Sequence, residues 1–435
     1  MTNSPPSQCP DVTVIGGGLA GKAASIHLAK EGFKVICIEP NESVKQSVGE
    51  SLDWSAPDLL CGLGLPMEQV VRSGVATWKR HVTLKLRDGC SEQYIPPLWL
   101  GEKPFHVELR TLHVDRLKLD QELLNLAREQ GVELLHDRVV RVESEGMRIR
   151  SAVTARGSRF ASPWFIDASG LGASLIAREF NIPAIISGPP KVALWTYFSV
   201  AESVDGTTLY MDPDRSDYLD WIWEIPIQSN VVSVGYVLTG SAMKAMRAEG
   251  LTVEDIFRRQ LMKFPCFELL LNTLNNRKLN VTSFRCRAHL KSAGPNWVMV
   301  GETASMVDPI TANGVTAAFR HAAEAASMIQ NFRSRSVLPR RAQALYSARV
   351  IMLAKFFNGG IEKIVYEPPV RNRIGLARSG TIYTGPAWSM NAVYARLRPK
   401  GVFSTGLLGI VLGIFRASAW ILYQFCRMMP TESSH

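Results

Sequence analysis

Short apolar runs separated by glycine-rich turns recur along the chain and predict the strands of a parallel sheet. The first, Val12–Ile15, is β-branched, as strands buried on both faces are, and Lys22–Glu31 after it has the pattern of a helix. A second strand is predicted at Lys34–Ile38. Two later apolar runs, Phe165–Asp167 and Trp297–Val300, each lead into a small-residue turn that carries an acid. The order of strand, turn and helix predicts an α/β fold.

The turn after the first strand has the spacing that dinucleotide sites need. It reads Gly16, Gly17, Gly18, Leu19, Ala20 and Gly21. Gly16 permits a tight turn, Gly18 lets the backbone approach a pyrophosphate, and Gly21 lets the helix pack closely on the strand. Glu39 ends the second strand, where an acid can accept a hydrogen bond from a ribose hydroxyl. We therefore predict a Rossmann-type dinucleotide-binding domain.

The remaining patterns divide the chain into three parts. Apolar spacing predicts a helix over 113–130 and a strand over 132–135. We predict that 11–185 and 281–330 form the dinucleotide-binding domain, with 75–110 contributing to the substrate side. Residues 186–280 are predicted to form an inserted β-sheet substrate domain, and 331–435 a helical C-terminal region.

Charge is distributed unevenly along the chain. The net charge is +10, and from Ala325 onward there are 15 Lys and Arg residues against 3 Asp and Glu. A basic region attracts anionic lipid headgroups, an acidic carrier protein or nucleic acid. Because the chain has no nucleic-acid-binding motif, we do not expect nucleic acid as a partner.

The C-terminal segment is apolar enough to contact a membrane. Residues 402–426 contain a single charge, Arg416, and the segment is flanked by basic residues, which are Arg396, Arg398, Lys400 and Arg427. Its length permits a transmembrane span, but Arg416 near its middle favours a helix that lies in the membrane interface. The alternatives are a helix pair in the core and a lid over the substrate cavity.

The termini and cysteines indicate a cytoplasmic enzyme. The polar first ten residues lack the features of a secretory signal. The seven cysteines are scattered, and no His or Cys cluster has the spacing of metal ligands. We expect the enzyme to lie in a reducing compartment and to bind no metal. We also expect peripheral contact with the inner face of the membrane.

The three acidic or glycine-rich turns together resemble a known group of flavoproteins. The turns at Gly16–Gly21, Asp167 and Gly301-Glu302 resemble the three FAD signatures of glutathione-reductase-like hydroxylases, halogenases and geranylgeranyl reductases. The resemblance implies FAD as the cofactor, with these residues at its site. Arg116 resembles an arginine that lies near the flavin in this group; the alternative is a solvated charge on a helix face.

The stretch Trp221–Pro226 is similar to the WxWxIP signature of flavin-dependent halogenases at every fixed position. On a strand, Trp221, Trp223 and Ile225 share one face. The resemblance implies a wall that keeps organic substrate from the flavin, so that halide reacts with its C4a-hydroperoxide. The alternative is a core strand with two large anchors.

Three further segments resemble halogenase elements. Lys79 stands where the family has its catalytic lysine, which captures hypohalous acid as a chloramine or by hydrogen bonding; the alternative is a surface lysine. Glu50 and Ser51 resemble the loop between the flavin and substrate sides, or cap a following helix. The turn that opens the helix 316–330 implies a site for flavin and halide, formed by Pro309, Asn313, Gly314 and Val315. Asn313 replaces the family's Ser or Thr, and we expect its amide to crowd the halide.

The resemblance implies an FADH₂-dependent halogenase that uses O₂ and halide. Thr311 stands where indole halogenases carry Glu, which favours a phenol, pyrrole or carrier-bound aromatic substrate over tryptophan. Because no second GxGxxG follows a strand, we expect a separate flavin reductase to supply reduced flavin. An aromatic monooxygenase remains an alternative, as do a prenyl-lipid reductase, whose YxWxFP strand Tyr218–Pro226 loosely resembles, and a non-enzymatic binding protein.

Overall fold

The strands in the described part of the chain form four sheets. A computed structural model describes residues 9–170, 174–203, 205–212, 217–274, 277–397 and 401–428. The strands are β1 (Val12–Ile15), β2 (Val35–Ile38), β3 (Ala76–Lys79), β4 (His81–Leu86), β5 (Ser91–Tyr94), β6 (Thr111–Val114), β7 (Glu133–Leu135), β8 (Val139–Glu145), β9 (Arg148–Thr154), β10 (Arg159–Phe160), β11 (Trp164–Asp167), β12 (Ala184–Ser199), β13 (Gly206–Met211), β14 (Trp221–Gln228), β15 (Val231–Thr239), β16 (Asn280–His289), β17 (Trp297–Met299) and β18 (Ser305–Met306).

The helices lie between these strands and beyond the last of them. They are α1 (Leu19–Lys30), α2 (Ala56–Leu63), α3 (Met67–Arg72), α4 (Arg116–Glu129), α5 (Leu175–Glu179), α6 (Gly240–Ala248), α7 (Val253–Leu261), α8 (Glu268–Leu271), α9 (Gly314–Asn331), α10 (Arg340–Ile361), α11 (Pro368–Ile374), α12 (Leu376–Leu397) and α13 (Val402–Met428). A π-helical turn, Glu362–Tyr366, joins α10 to α11.

The dinucleotide-binding domain is built on a five-stranded parallel sheet. The strand order is β17-β11-β1-β2-β7. In the centre, Val14 pairs with Ile166 on one side and with Cys37 on the other. All four residues of β1 are buried, as the β-branched pattern predicts for a central parallel strand. The predicted α/β fold with a Rossmann-type domain is confirmed.

An eight-stranded mixed sheet forms the substrate side. Its order is β18-β16-β12-β15-β14-β13-β4-β5, with β13 and β4 parallel and the other neighbours antiparallel. Strands β4 and β5 come from 81–94, inside the segment that the sequence assigns to this side. The sheet extends past the predicted limits of 186–280, because β12 begins at Ala184 and β16 continues to His289.

Strand β14 separates two hydrophobic cores. Trp221, Trp223 and Ile225 belong to the core shared with the C-terminal helices. Ile222, on the opposite face, belongs to the core under α7 and α8. Because both faces of β14 are covered, its residues do not alternate between buried and exposed as in a sheet with one solvent-facing side.

The predicted helix 113–130 is wrong at its start. Residues Thr111–Val114 form β6, where His113 pairs with Thr77 of β3. Asp115 ends the strand and caps α4 by accepting hydrogen bonds from the backbone of Leu117 and Lys118. The two elements share one apolar pattern, so only the cap marks the boundary.

The C-terminal region is helical, as predicted, from α10 to α13. Helix α13 is long and apolar enough to cross a membrane by length and composition, with a mean hydropathy of 1.7 in its most apolar window. Only 17% of that window is buried. The expectation of a helix pair inside the core is therefore wrong.

Candidate active site

Two cavities meet at the glycine turn. The larger one, of about 450 Å³, runs from Gly18 to Lys79 and the aromatic face of β14. The smaller one, of about 140 Å³, extends from Gly18 to Glu39. Gly18 and Ser47 line both cavities. The two cavities together form one extended site, and a dinucleotide requires a site of this shape.

The glycines of the turn have different roles in the structure. Gly16 has a φ of 96°, and a Cβ there would lie 2.5 Å from the carbonyl oxygen of Ala168. A Cβ on Gly21 would lie 1.9 Å from the carbonyl oxygen of Gly16. A Cβ on Gly18 would meet nothing within 4 Å and would point into open space. Gly16 and Gly21 therefore keep strand and helix together, and Gly18 leaves room for a ligand, which fits FAD.

This difference predicts opposite outcomes for two alanine variants. Gly18→Ala is expected to keep the melting temperature of the apoprotein, because the φ of −67° suits alanine. It should weaken FAD binding by at least about tenfold. Gly21→Ala should instead destabilise the fold itself by overpacking, by about 1–3 kcal/mol. Thermal unfolding of apoprotein and flavin fluorescence titration separate the two; equal FAD affinity in Gly18→Ala would contradict the assignment.

Glu39 lies at the far end of the site. Its carboxylate accepts a hydrogen bond from the backbone N–H of Gly17 at 2.7 Å and one from the backbone N–H of Asn41 at 3.1 Å. Because it lines the smaller cavity, Glu39 is placed where the sequence puts a ribose-binding acid.

Arg116 lies beside the larger cavity and is buried, so its interpretation as a solvated charge is wrong. Its guanidinium donates to Asp120 at 3.1 Å, and Lys22 donates to the same carboxylate at 2.8 Å. Arg116 also donates to the carbonyl of Val48. Two cations thus flank the path between the cavities, which favours an anionic pyrophosphate.

The second acidic turn supports the site without lining it. Asp167 accepts hydrogen bonds from the backbone of Ser169 and Ile176 at 3.1 Å each, and from the Ser174 hydroxyl at 2.7 Å. Its carboxylate fixes the turn and the start of α5 and lies outside the cavity lining, whereas the neighbouring Ala168 and Gly170 line it. Asp167 therefore stabilises the backbone around the site and does not line the cavity itself.

The third turn does supply a side chain. Gly301 has a φ of 62°, and a Cβ there would lie 2.7 Å from the Cβ of Ala20. This close approach brings Glu302 to the cavity, where burial raises the pKa of its carboxyl group. Leu19 and Ala20 line the cavity from the glycine turn.

The aromatic wall lies where the sequence predicts it. Trp221, Trp223 and Ile225 all line the larger cavity. The indole N–H of Trp221 donates to the hydroxyl of Tyr366 at 2.8 Å, and that of Trp223 donates to Ser233 at 3.1 Å. Both rings are therefore held by polar contacts at their far edge, as is usual for buried indoles.

Lys79 is completely buried at the edge of the cavity, so its interpretation as a surface lysine is wrong. Its ammonium donates to the Ser51 hydroxyl at 2.9 Å and to the Leu52 carbonyl at 2.8 Å. Nζ lies 4.8 Å from the ring centroid of Trp54 and 5.8 Å from that of Trp388. Burial lowers the pKa of Lys79 to about 7, against the opposing charge of Asp53. The amine can therefore change protonation state near neutral pH.

A hydrogen-bonded chain leads away from Lys79. Ser51 contacts the Thr207 hydroxyl at 2.8 Å, and Thr207 contacts His113 Nε2 at 2.9 Å. Burial, together with the Lys79 charge, holds the pKa of His113 well below its usual range, so the imidazole is neutral. Ser51 thus orients the amine rather than capping α2, whose N-cap residue is Ser55.

Glu50 lines the cavity next to Ser51 and is also buried. Its carboxyl accepts from Tyr197 at 2.9 Å and from Ser233 at 3.3 Å. Burial raises its pKa, although the Tyr197 hydrogen bond opposes the shift. Because Ser233 also holds Trp223, Glu50 and the wall are part of one network.

Asn313 does not crowd the cavity. Its side-chain amide donates to the Asp53 carboxylate at 2.5 Å, and Asn313 lies outside the lining that Pro309, Gly314 and Val315 provide. The Asp53 carboxylate also accepts from Thr316 at 2.5 Å. The expectation that the amide takes the halide's space is therefore wrong.

Several residues of the site carry no motif and were not predicted. Asp53 and Trp54 directly follow the Glu50-Ser51 loop, which is the one signal that could have found them. Trp388 and Asn391 come from α12, where Trp388 lines the cavity and Asn391 donates to Asp53 at 2.7 Å. No residue of α13 appears in the lining of either cavity among the described residues, so the expectation that 402–426 form a lid is wrong.

Comparison with known proteins identifies the family. A family model described as tryptophan halogenase matches residues 101–354, which is more than half of the chain. The chain belongs to this family. A second model, described as FAD dependent oxidoreductase, matches residues 11–181. The predicted family, the predicted class of FAD-dependent oxidoreductase and FAD as cofactor are thereby confirmed.

The relatives are distant in sequence. A tryptophan 2-halogenase of Chondromyces crocatus is 26% identical over 329 residues, which are 74% of this chain and 61% of that protein. A 1H-pyrrole-2-carbonyl-[peptidyl-carrier protein] chlorinase of Pseudomonas fluorescens is 26% identical over 350 residues, 72% of this chain and 74% of that one. The chain thus matches less than two thirds of the first relative's length.

Solved structures agree with the fold. A variant of the halogenase PltM in complex with FAD has a TM-score of 0.71 at 15% identity, covering 97% of this chain and 93% of that one. The flavin-dependent brominase Bmp2 has a TM-score of 0.62 at 21% identity, covering 90% and 100%. At these identities the likeness concerns the fold alone.

Proposed function

We propose that this protein is an FADH₂-dependent halogenase that installs chloride or bromide on an activated aromatic ring. The observation that carries the proposal is the buried amine of Lys79, with a pKa of about 7, at the edge of a cavity that Trp221 and Trp223 wall on one side. The substrate is a phenol, a pyrrole or a carrier-bound aromatic. The related chlorinase of a pyrrole-2-carbonyl carrier protein supports this class.

The residues that would hold FAD line the two cavities. Gly18 would leave room for the pyrophosphate, Arg116 would supply a cation and Glu39 would accept a hydrogen bond from the ribose, while Glu302 lies beside the larger cavity. Reduced flavin and O₂, when present, supply the oxidising equivalent: FADH₂, O₂, halide and one proton yield FAD, water and hypohalous acid. The protein's part is to bind the halide and to direct the acid.

The start of α9 is suited to the halide. The chain turns at Ala312, with a φ of 54°, and α9 begins directly afterwards at Gly314. The first N–H groups of a helix have no partner within the helix and carry its positive dipole end. The backbone of Asn313 and Gly314 would therefore favour an anion.

Lys79 would pass the halogen to the ring. The neutral amine attacks the halogen of hypohalous acid, an N–X bond forms, and the O–X bond breaks with release of water. The ring carbon then takes the halogen from nitrogen and loses its proton, which regenerates the amine. Ser51 and the Leu52 carbonyl hold Nζ in one position, because both accept its hydrogen bonds.

The pH dependence follows from the lowered pKa of Lys79. Below about pH 7 the amine is protonated, so kcat is expected to rise roughly tenfold per pH unit up to this value and then to level off. Single-turnover rates between about pH 5.5 and 8.5 test this. A rate that falls as pH rises through 7 would instead mean that the ammonium acts as a hydrogen-bond donor.

The tryptophan wall can be tested through the glycine behind it. A Cβ on Gly235 would lie 2.1 Å from Cζ2 of Trp223, so Gly235→Ala should push the indole into the cavity. We expect reduced coupling, with more hydrogen peroxide formed per halogenated product, and a stability loss of about 1–3 kcal/mol. Gly359→Ala is the control, because a Cβ there meets nothing within 4 Å. Unchanged coupling in Gly235→Ala would contradict the role of Trp223.

Labelled oxygen separates halogenation from hydroxylation. With ¹⁸O₂, reduced flavin and no added halide, a hydroxylase would insert the label into the aromatic product. A halogenase would form product only when chloride or bromide is added, and that product would contain no label.

We further propose a separate flavin reductase as the source of FADH₂ and a cytoplasmic location. The absence of a second GxGxxG after a strand supports the first proposal. NADH alone should then give no turnover, and addition of any flavin reductase should restore it.

A further inference from the structure

Helix α13 exposes a continuous apolar row along its whole length. Seven of its exposed large side chains follow one another at intervals of three, four or seven residues; they are Phe403, Leu407, Ile410, Ile414, Ile421, Phe425 and Met428. Val402, Phe415 and Trp420 are exposed outside this row. At 3.6 residues per turn this spacing places them on one face. With 27 residues the helix is about 40 Å long. Single exposed apolar residues are common on proteins, but a row of this length marks an interaction surface.

The opposite face of α13 is fastened to the body of the protein. Leu412, Tyr423 and Cys426 are buried in the core shared with the other C-terminal helices. Near the start of α13, Arg349 donates to the Thr405 hydroxyl at 3.4 Å. Near its end, Arg373 donates to the carbonyl of Cys426 at 3.1 Å, and the hydroxyl of Tyr423 donates to Glu367. The helix is therefore held to the body along its length, and its apolar row faces outward.

The charges beside the row are basic. Residues 402–428 contain no acid, and the two cations, Arg416 and Arg427, are both exposed. At about 100° per residue, Arg416 lies about 150° and Arg427 about 130° around the helix from the middle of the apolar row. Trp420 is 59% exposed on the same side as the arginines. From Ala325 onward, Lys and Arg outnumber Asp and Glu by 15 to 3; Arg398 and Lys400 lie outside the described residues.

We propose that the exposed row of α13 binds an anionic lipid surface, with the helix lying in the plane of the interface. An apolar face, cations on the other side of the helix and a Trp between the two are typical of such helices. A transmembrane position would require α13 to leave its polar and apolar contacts with the body. It would also put Arg416 near the bilayer centre, whereas in the interface its guanidinium reaches the headgroups.

Vesicle flotation tests the proposal with the full-length, FAD-loaded protein. Vesicles of phosphatidylcholine with about one third phosphatidylglycerol are compared with pure phosphatidylcholine. The wild type is expected to float with the anionic vesicles and to be released by high salt. Flotation excludes aggregation as the cause, because aggregates sediment.

Two sets of variants make the test specific. Ile410→Glu with Ile414→Glu places two acids in the row and should reduce the floated fraction on the order of tenfold. Leu269→Glu is the control: this side chain is 80% exposed on α8, outside the row, and its replacement should change nothing. Arg416→Gln with Arg427→Gln should remove the preference for anionic vesicles.

Three outcomes would overturn the proposal. They are a wild type that does not float, a double-glutamate variant that floats like the wild type, and a dimer that the double-glutamate variant dissociates in the absence of flotation. The last would assign the row to a second copy of the chain. Flotation does not depend on turnover. Lipid binding can therefore fail while halogenation is intact, and halogenation can fail while lipid binding is intact.

Discussion

Replacement of Lys79 by alanine is expected to reduce halogenation on the order of 10³-fold while FAD remains bound. The amine is the one cation in the described lining of the larger cavity that lies next to Trp54 and Trp388. Its loss would leave hypohalous acid without a group that captures it. The measurement is kcat for bromination of an accepted substrate, with the flavin spectrum as the check on cofactor binding.

Two control variants distinguish chemistry from structure. Lys79→Arg keeps a cation but cannot lose its proton near neutral pH, so it should not restore activity. Lys85→Ala removes an exposed lysine from the adjacent strand β4 and should leave kcat unchanged. A kcat for bromination in Lys79→Ala equal to that of the wild type would contradict the proposed mechanism. Thermal unfolding should show Lys79→Ala to be folded, because the Asp53 carboxylate, whose charge acts on Lys79, keeps hydrogen bonds from Asn313, Thr316 and Asn391.

Lys191→Met is expected to lower the free energy of unfolding by about 3–5 kcal/mol. The Lys191 ammonium donates to Asp308 at 2.8 Å and to Glu362 at 2.7 Å, and all three groups are buried. Burial lowers the pKa of Lys191, but the two carboxylates outweigh burial and raise it, so the amine stays charged. Methionine would leave two buried carboxylates close together without a cation.

Removal of the Lys191 ammonium should also affect the active site. Asp308 accepts a hydrogen bond from Tyr366 at 2.8 Å, and Tyr366 accepts one from the indole of Trp221. We therefore expect weaker FAD binding in Lys191→Met. Combining it with Asp308→Asn and Glu362→Gln should recover part of the stability. Lys363→Met, which breaks a partly exposed pair with Glu367, should cost less than about 1 kcal/mol. Equal effects of Lys191→Met and Lys363→Met in denaturant unfolding would contradict this account.

Local patterns predicted the geometry of the glycine turn and of strand β14. The run Val12–Ile15 and the spacing of Gly16, Gly18 and Gly21 determine their own geometry, because a tight turn and close helix packing are short-range requirements. The strand Trp221–Gln228 was predictable for the same reason: period-two alternation alone places Trp221 and Trp223 on one face. Their common cavity followed from the resemblance and was found in the structure.

Residues that depend on long-range packing were not predictable in this way. The burial of Lys79 results from Trp54 and Trp388, which lie far from each other in sequence and carry no motif. The orientation of Asn313 depends on Asp53, which is 260 residues away. Asp167 was expected at the flavin, but its carboxylate holds the start of α5 through Ser174. For Lys79 and Asn313 the sequence identifies the residue, and a distant partner decides where its side chain points. The partner of Asp167 lies only seven residues away along the chain.

The proposed function rests on the incorporation of halide, and the most direct test is product mass. Purified protein is supplied with FADH₂, oxygen and bromide, together with a panel of phenols, pyrroles and indoles. The account predicts a product that carries the paired isotope signals of bromine, formed by the wild type and absent with Lys79→Ala. A product that gains only an oxygen atom, or two hydrogen atoms, whether or not bromide is present, would contradict it.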